Sequence, residues 1–145
     1  MDTNDYLMPG IQLKKMVIKK TAPIIEKYSL RPVELDILVL LQREKNIDTA
    51  KAIVQRRHFS KAHISKSLEN LCEKGFIQIR EDNEDHRILH IVLTEQAKDI
   101  VEQMLQIYGE CRDIVRQGIS EEELQNVKIV LNKINDNINR ELGES

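Results

Sequence analysis

Apolar side chains recur along this chain first at helical spacing, then in alternation, then at helical spacing again. Over residues 11–28, Ile11, Met16, Val17, Ile24 and Ile25 are broadly helical in spacing. Pro23 lies inside that segment and predicts a kink or break near Ala22, because proline lacks the backbone donor and its ring clashes with the preceding turn. Residues 31–44, RPVELDILVLLQRE, predict a second helix with Pro32 in its first turn. Leu35, Ile37, Leu38, Val39, Leu40 and Leu41 make it apolar nearly all round, which predicts burial at the centre of the fold. A short helix follows, capped by Asp48 or Thr49 and running to about Arg56, with Ala50, Ile53 and Val54 inward.

Residues 59–76, FSKAHISKSLENLCEKGF, carry helix signals at both ends. Ser60 is the expected N-cap. Ile64, Leu68, Leu71 and Cys72 recur at i, i+4, i+7 and i+8 and are expected on one inward face. Gly75 is placed for the left-handed position after the helix, with Phe76 next to pack back on Leu71. The period then drops to two. Ile77 and Ile79 point one way, Gln78 and Arg80 the other, and Leu89, Ile91 and Leu93 share a face of the return run over residues 88–93. Between the runs, Glu81, Asp82, Glu84 and Asp85 precede Arg87, so the expected hairpin has a long charged tip. Thr94 ends it and is placed to cap a helix whose seam is Ala97, Ile100, Val101, Met104, Tyr108, Cys111 and Val115. Gly118 closes that helix, and Ser120 to Glu123, SEEE, form a capping box. The last helix carries Leu124, Val127, Leu131, Ile134 and Ile138 at the same spacing.

The length, 145 residues, suits one domain with its own core. No apolar run approaches the roughly 18 residues of a membrane span. The opening MDTNDYLMPG lacks the basic-then-apolar order of a signal peptide. Cys72 and Cys111 have no paired spacing and fit a reducing cytoplasm better than a disulfide framework. No nucleophile–base–orienter set, glycine-rich phosphate loop or metal-ligand spacing is visible, so neither an enzyme nor a cofactor or metal site is expected.

A net charge of −2 does not announce a polyanionic partner, but its distribution does. Residues 51–66 hold five cations (Lys51, Arg56, Arg57, Lys61 and Lys66) and no acid. Residues 67–85 hold six acids, offset only by Lys74 and Arg80. A field arranged this way can hold a polyanion although the total is negative. Scarce aromatics and no tryptophan argue against recognition by stacking on exposed bases.

Two helices, a tight turn, a third helix and a hairpin make the winged helix-turn-helix plan. At about 100° per residue, the inward stripe of the third helix leaves Ala62, His63 and Lys66 on the opposite side, with Ser65 and Ser67 flanking them. These small, hydrogen-bonding or cationic side chains suit a major groove, and Lys61 in the first turn suits phosphate. The plainer reading of the same charges is a solvated face.

Three stretches, LRPVELDILVLL, SKSLENLCEKGFIQIR and DHRILHIVLT, then stand in order at the right spacing. They resemble the buried second helix, the recognition-helix ending with the first wing strand, and the D-x-R wing signature of the MarR/SlyA family of winged helix-turn-helix transcriptional regulators. The resemblance implies a mainly α fold. It has a winged helix-turn-helix DNA-binding core over residues 30–97 with a two-to-three-stranded β wing. Residues 1–29 and 98–145 are dimerisation helices of the same single domain. It further implies a homodimeric regulator of double-stranded DNA, most simply a repressor. The recognition helix, about residues 60–74, enters the major groove, and the wing, about residues 80–89, enters the minor groove. The DNA-binding set is then Ser60, Lys61, Ala62, His63, Ser65 and Lys66 with Arg56, Arg57 and the wing pair Asp85 and Arg87. Asp85 would brace Arg87 or the wing backbone. The seams of the last two helices support a dimer independently, since a lone chain could hardly bury them all; the alternative is packing within one monomer. Relatives often respond to small aromatic or lipophilic effectors, for which Met16, Tyr28, Ile37, Met104 and Tyr108 are the candidate lining. The competing function is a winged-helix protein-interaction module without DNA binding, its wing acids meeting a basic partner.

Overall fold

A helix apolar on nearly every side has to be surrounded, and its neighbours in the fold are arranged to do that. The computed structural model describes residues 3–57 and 59–144, with the backbone alone for residues 3–7 and 57. The elements are α1 (Thr3–Tyr28), α2 (Pro32–Arg43), α3 (Ala50–Arg57), α4 (Lys61–Glu73), β1 (Ile77–Glu81), β2 (Leu89–Leu93), α5 (Glu95–Arg116) and α6 (Glu121–Leu142). This is the mainly α, winged helix-turn-helix order. Two compact units are distinguished, Met1–Cys111 and Arg112–Ser145.

In the first unit α2 is the buried element, with Leu35, Ile37, Leu38, Val39 and Leu40 each 2% exposed or less. Around it the core takes in Ile24 of α1, Ile53 of α3, Ile64, Leu68 and Leu71 of α4, Ile77 and Ile91 of the strands, and Ala97, Ile100, Val101 and Met104 of α5. The break expected near Ala22 does not occur: α1 runs through both Pro9 and Pro23. Pro23 costs the helix one bond, to the carbonyl of Lys19, an exposed residue where solvent can take that acceptor.

Local signals explain the helix ends. Thr49, not Asp48, caps α3, its Oγ1 accepting from the Ala52 N–H at 3.2 Å. Ser60 caps α4, accepting from the His63 N–H at 3.2 Å. Gly75 follows α4 in the left-handed region at φ 77°. The Phe76 N–H reaches the Leu71 carbonyl and the Gly75 N–H the Cys72 carbonyl, both at 3.0 Å, which satisfies two of the orphan acceptors at the helix end.

The face of α4 differs from its sequence pattern at the edges. Cys72, expected inward, is exposed. Ser67, expected to flank the outer face, is fully buried. The two residues flank the Ile64–Leu68–Leu71 stripe on opposite sides, each roughly 70° from its centre, so periodicity does not choose between them. The surrounding core lies toward Ser67.

β1 and β2 pair antiparallel from Ile77↔Leu93 to Glu81↔Leu89. Their bases enter the core through Ile77 and Ile91, while Ile79 and Leu89 farther out are 45% and 48% exposed. The wing therefore projects beyond the core that anchors it. A single backbone bond at 2.6 Å, from the Ile91 N–H to the Asp48 carbonyl, ties β2 to the segment before α3. The Thr94 hydroxyl does not cap α5; it donates to the Gly75 carbonyl at 2.7 Å and closes the base of the hairpin onto the end of α4.

Along α5 the expected seam is buried at Ala97, Ile100, Val101, Met104 and Cys111, so most of it requires no second chain; Val115 is 45% exposed. In the second unit the SEEE capping box forms. Ser120 Oγ accepts from the Glu123 N–H at 3.1 Å, and the Glu123 carboxylate accepts from the Ser120 N–H at 2.8 Å. That backbone bond holds the Glu123 carboxyl below its ordinary value. No residue of α6 is buried. Val127, Val130, Leu131 and Ile138 are each more than half exposed.

Candidate nucleic-acid interface

The outer face of α4 is set by the helix it packs on. Glu34 of α2, 1% exposed, accepts from the Arg31 N–H at 2.9 Å, from Arg31 Nε at 3.1 Å and from Asn70 Nδ2 of α4 at 3.1 Å. Burial pushes this carboxyl up, but the bonds from Arg31 and Asn70 outweigh it and the net shift is downward. Glu34 thus pins α4 to α2 by a charge-assisted bond, a contact that sequence periodicity does not report.

With that orientation fixed, Ser60, Lys61, Ala62, His63, Ser65 and Lys66 are all exposed on one side of α4. The His63 ring lies tilted on Phe59, centroids 5.8 Å apart. Lys66 Nζ is 3.1 Å from Glu69 on the next turn, both side chains well exposed. Arg56 is more firmly engaged, its Nε 3.1 Å from each carboxylate oxygen of Glu44. Arg57 ends α3, but its side chain, like the whole of His58, lies outside the described residues.

At the wing tip the acids are structural before they are electrostatic. Asp82 Oδ2 accepts from the N–H groups of Glu84 and Asp85 at 2.9 and 3.0 Å, which shapes the turn. Asp85 then grips Arg87 three ways: Oδ1 accepts from the backbone N–H and from Nε, and Oδ2 from Nη2, each at 3.0 Å. The Arg87 side-chain bond holds the Asp85 carboxyl down, and Asp85 in turn raises Arg87. The guanidinium still shows 91% of its side chain to solvent. It is oriented without being covered.

One group here was not singled out as functional from sequence. His90 of β2 places Nδ1 2.7 Å from Asp48 Oδ2 and Nε2 2.8 Å from Asp82 Oδ1. Hydrogen bonding to Asp82 and then Asp48 raises the imidazole above its ordinary value. The same His90 bond, with the Glu84 and Asp85 amides, lowers Asp82 to about 2. Alternation alone places His90 opposite to its buried neighbour Ile91, but nothing in the spacing brings Asp48 to it.

The candidate effector residues are only partly gathered. A pocket of about 250 Å³ is walled by Val17, Ile18, Thr21 and Ile25 of α1, Pro32 and Leu35 of α2, and Met104 and Tyr108 of α5, with Lys14 and Asp36 as its charged groups. Met16 is half-buried on α1 outside that lining. Tyr28 packs edge-on against Phe76, centroids 6.2 Å apart, and Ile37 is core at 1% exposure. Among the described residues no cluster of His, Cys, Asp and Glu is placed to hold a metal ion, and no helix is long and apolar enough to cross a membrane.

A model of the MarR family matches residues 28–88, from the end of α1 through the wing tip. Over those residues the chain is similar to the MarR family. All of the DNA-face candidates fall inside the matched residues, whereas Met16, Met104 and Tyr108 fall outside them. Solved structures share the fold over nearly the whole chain. A MarR protein from Peptoclostridium difficile is 19% identical with a TM-score of 0.77, covering 97% of this chain and 91% of its own. MepR of S. aureus, solved as a DNA complex, is 24% identical with a TM-score of 0.75, covering 94% and 99%. The heme sensor PefR from Streptococcus agalactiae, solved in complex with heme, is 20% identical with a TM-score of 0.62, covering 97% of each chain. At these identities the likeness is one of fold.

Proposed function

We propose that this chain is a MarR-family regulator that binds a pseudo-palindromic site on double-stranded DNA as a homodimer in the cytoplasm and acts as a repressor. Residues 30–97 read the DNA, and residues 1–29 and 98–145 make the dimer. The observation that carries the reading is the pairing of two surfaces. One is the exposed α4 face of Lys61, Ala62, His63, Ser65 and Lys66. The other is a guanidinium on the wing, 91% exposed and aimed by Asp85. Ala62, His63 and Lys66 offer an apolar contact, a hydrogen-bonding ring and a cation to base edges of a major groove. Arg87 then reaches the adjacent minor groove, whose negative potential is greatest where it is narrow and A·T-rich. Ser60 and Lys61 at the start of α4 face phosphate, with Arg56 and Arg57 beside them. MepR was solved on DNA, which agrees with this use of the fold. The pocket walled by Met104 and Tyr108 suits a small aromatic or lipophilic effector whose binding would release the DNA.

Selection of bound duplexes from a random pool tests the reading. The expected product has two half-sites about one helical turn apart, bound with a steep salt dependence. Arg87→Ala is expected to bind it about 5- to 150-fold more weakly, and Lys66→Ala to accept a wider set of bases in the major groove. Recovery of no duplex overturns DNA recognition, and equal binding by wild type and both variants overturns the assignment of Arg87 and Lys66 to it. Failure to recover a duplex would favour instead a protein partner of basic character meeting the wing acids Glu81, Asp82 and Glu84.

A further inference from the structure

His90 stands between two carboxylates from different parts of the fold. Asp48 belongs to the segment between α2 and α3, and Asp82 to the wing loop. Each ring nitrogen is within 2.8 Å of one of them. A neutral imidazole has one N–H and one lone pair, so it can serve only one carboxylate and must turn the lone pair on the other. Only the imidazolium donates to both. The geometry is therefore that of a doubly protonated ring.

The contact does not end at Asp82. While Oδ1 takes the His90 bond, Oδ2 takes the amides of Glu84 and Asp85. Asp85 in turn carries Arg87. A continuous hydrogen-bonded path thus runs from the α2–α3 segment through His90 to the wing-tip guanidinium. We propose that His90 is a positioning residue: protonated between Asp48 and Asp82, it holds the wing loop in the shape from which Arg87 is presented. The DNA consequence rests on the function proposed above; the effect on wing geometry does not.

The other charged groups nearby are engaged elsewhere. Arg80, opposite His90 on β1, donates to Gln78. Glu81 is paired with His86. On α2, which packs against β2, Glu34 bonds Arg31 and Asn70, Asp36 lines the pocket with Tyr108, and Arg43 lies over the Tyr108 ring. The two aspartates thus determine the charge on the ring. A raised imidazole value means that the clamp is complete at and below the ordinary 6.5 and is lost as pH rises through the higher folded value.

The test uses the full chain as wild type, His90→Gln and Asp48→Asn. By nuclear magnetic resonance, wild-type His90 should remain doubly protonated at and somewhat above pH 6.5. The amides of Glu84, Asp85 and Arg87 should shift together as it deprotonates. Asp48→Asn removes one anion, so ring and wing transitions should both move to lower pH. His90→Gln should displace the wing amides at every pH. An imidazole titrating at or below 6.5, or wing amides indifferent to His90→Gln, overturns the proposal.

On a duplex recovered with wild type, His90→Gln should bind about 5-fold or more weakly, at the lower end of the loss from removing Arg87. His90→Gln combined with Arg87→Ala should be no weaker than Arg87→Ala alone. Additive losses would show that His90 does not act through Arg87. If wild type retains no duplex, the DNA reading fails while the resonance measurements still decide the positioning role.

Discussion

At the scale of single residues, the groups that set this site are polar side chains that fold partners make necessary. Glu34 is the sharpest case, because three donors converge on a carboxylate that is 1% exposed. Glu34→Ala leaves Asn70 Nδ2 and the Arg31 N–H without their acceptor, at an expected cost of about 1–3 kcal/mol in urea unfolding. Its carboxyl lies below the ordinary 4.5 in the folded chain. Its contribution is thus complete above that value and is lost as pH falls through the lower folded one, and Glu34→Gln should remove this part of the acid dependence. The outward α4 residues and the Asp85–Arg87 pair were legible from sequence, because helical angle and a local motif place them. Glu34–Asn70 and Asp48–His90 were not. Their partners stand 36 and 42 residues apart, a distance that no period spans. Ser67 marks another limit: its hydroxyl is buried without a hydrogen-bond partner, a placement that its polarity argues against.

At the scale of elements, the ends were more legible than the middles. Ser60 and Gly75 bracket α4 by chemistry that acts locally, a hydroxyl accepting from the first turn and a backbone free to turn left-handed. Gly75→Ala should therefore destabilise the fold by about 1–2 kcal/mol, the cost of placing a β-carbon in that region. The new carbon would also meet Gln96 Oε1 at 3.3 Å, a contact that the flexible amide can relieve. Gly75→Asn should cost less, since asparagine tolerates the left-handed region better. Urea midpoints of the two variants check this order, and equal midpoints for Gly75→Ala and wild type would contradict it. The continuity of α1 through Pro23 and the rerouting of the Thr94 hydroxyl to Gly75 were not legible. Both depend on what surrounds the residue: solvent at the Lys19 carbonyl in one case, the end of α4 beside the hairpin in the other.

At the scale of the whole molecule, the decisive quantity is apolar surface that the single chain leaves in water. α6 repeats Leu124, Val127, Leu131, Ile134 and Ile138 at alternating three- and four-residue steps, yet none of its residues is buried. α1 separately exposes Met8, Ile11 and Ile18 at 46% or more. Burying one large aliphatic side chain is worth about 1.5–3 kcal/mol, so a self-complementary interface using several of them would be stable at micromolar concentration. The prediction follows that the full chain is dimeric by light scattering at such concentrations. The pair Val127→Glu and Leu131→Glu, both on exposed positions, should shift it to monomer. Far-UV circular dichroism at that point should still show the helices, because neither side chain belongs to the core. DNA affinity should fall with the dimer, since one wing and one recognition helix make half of the phosphate contacts, and the slope of log affinity against log salt should shrink by about half. Variants that remain dimeric, or monomers that bind the same duplex with an unchanged salt slope, would show that α6 does not join the two chains.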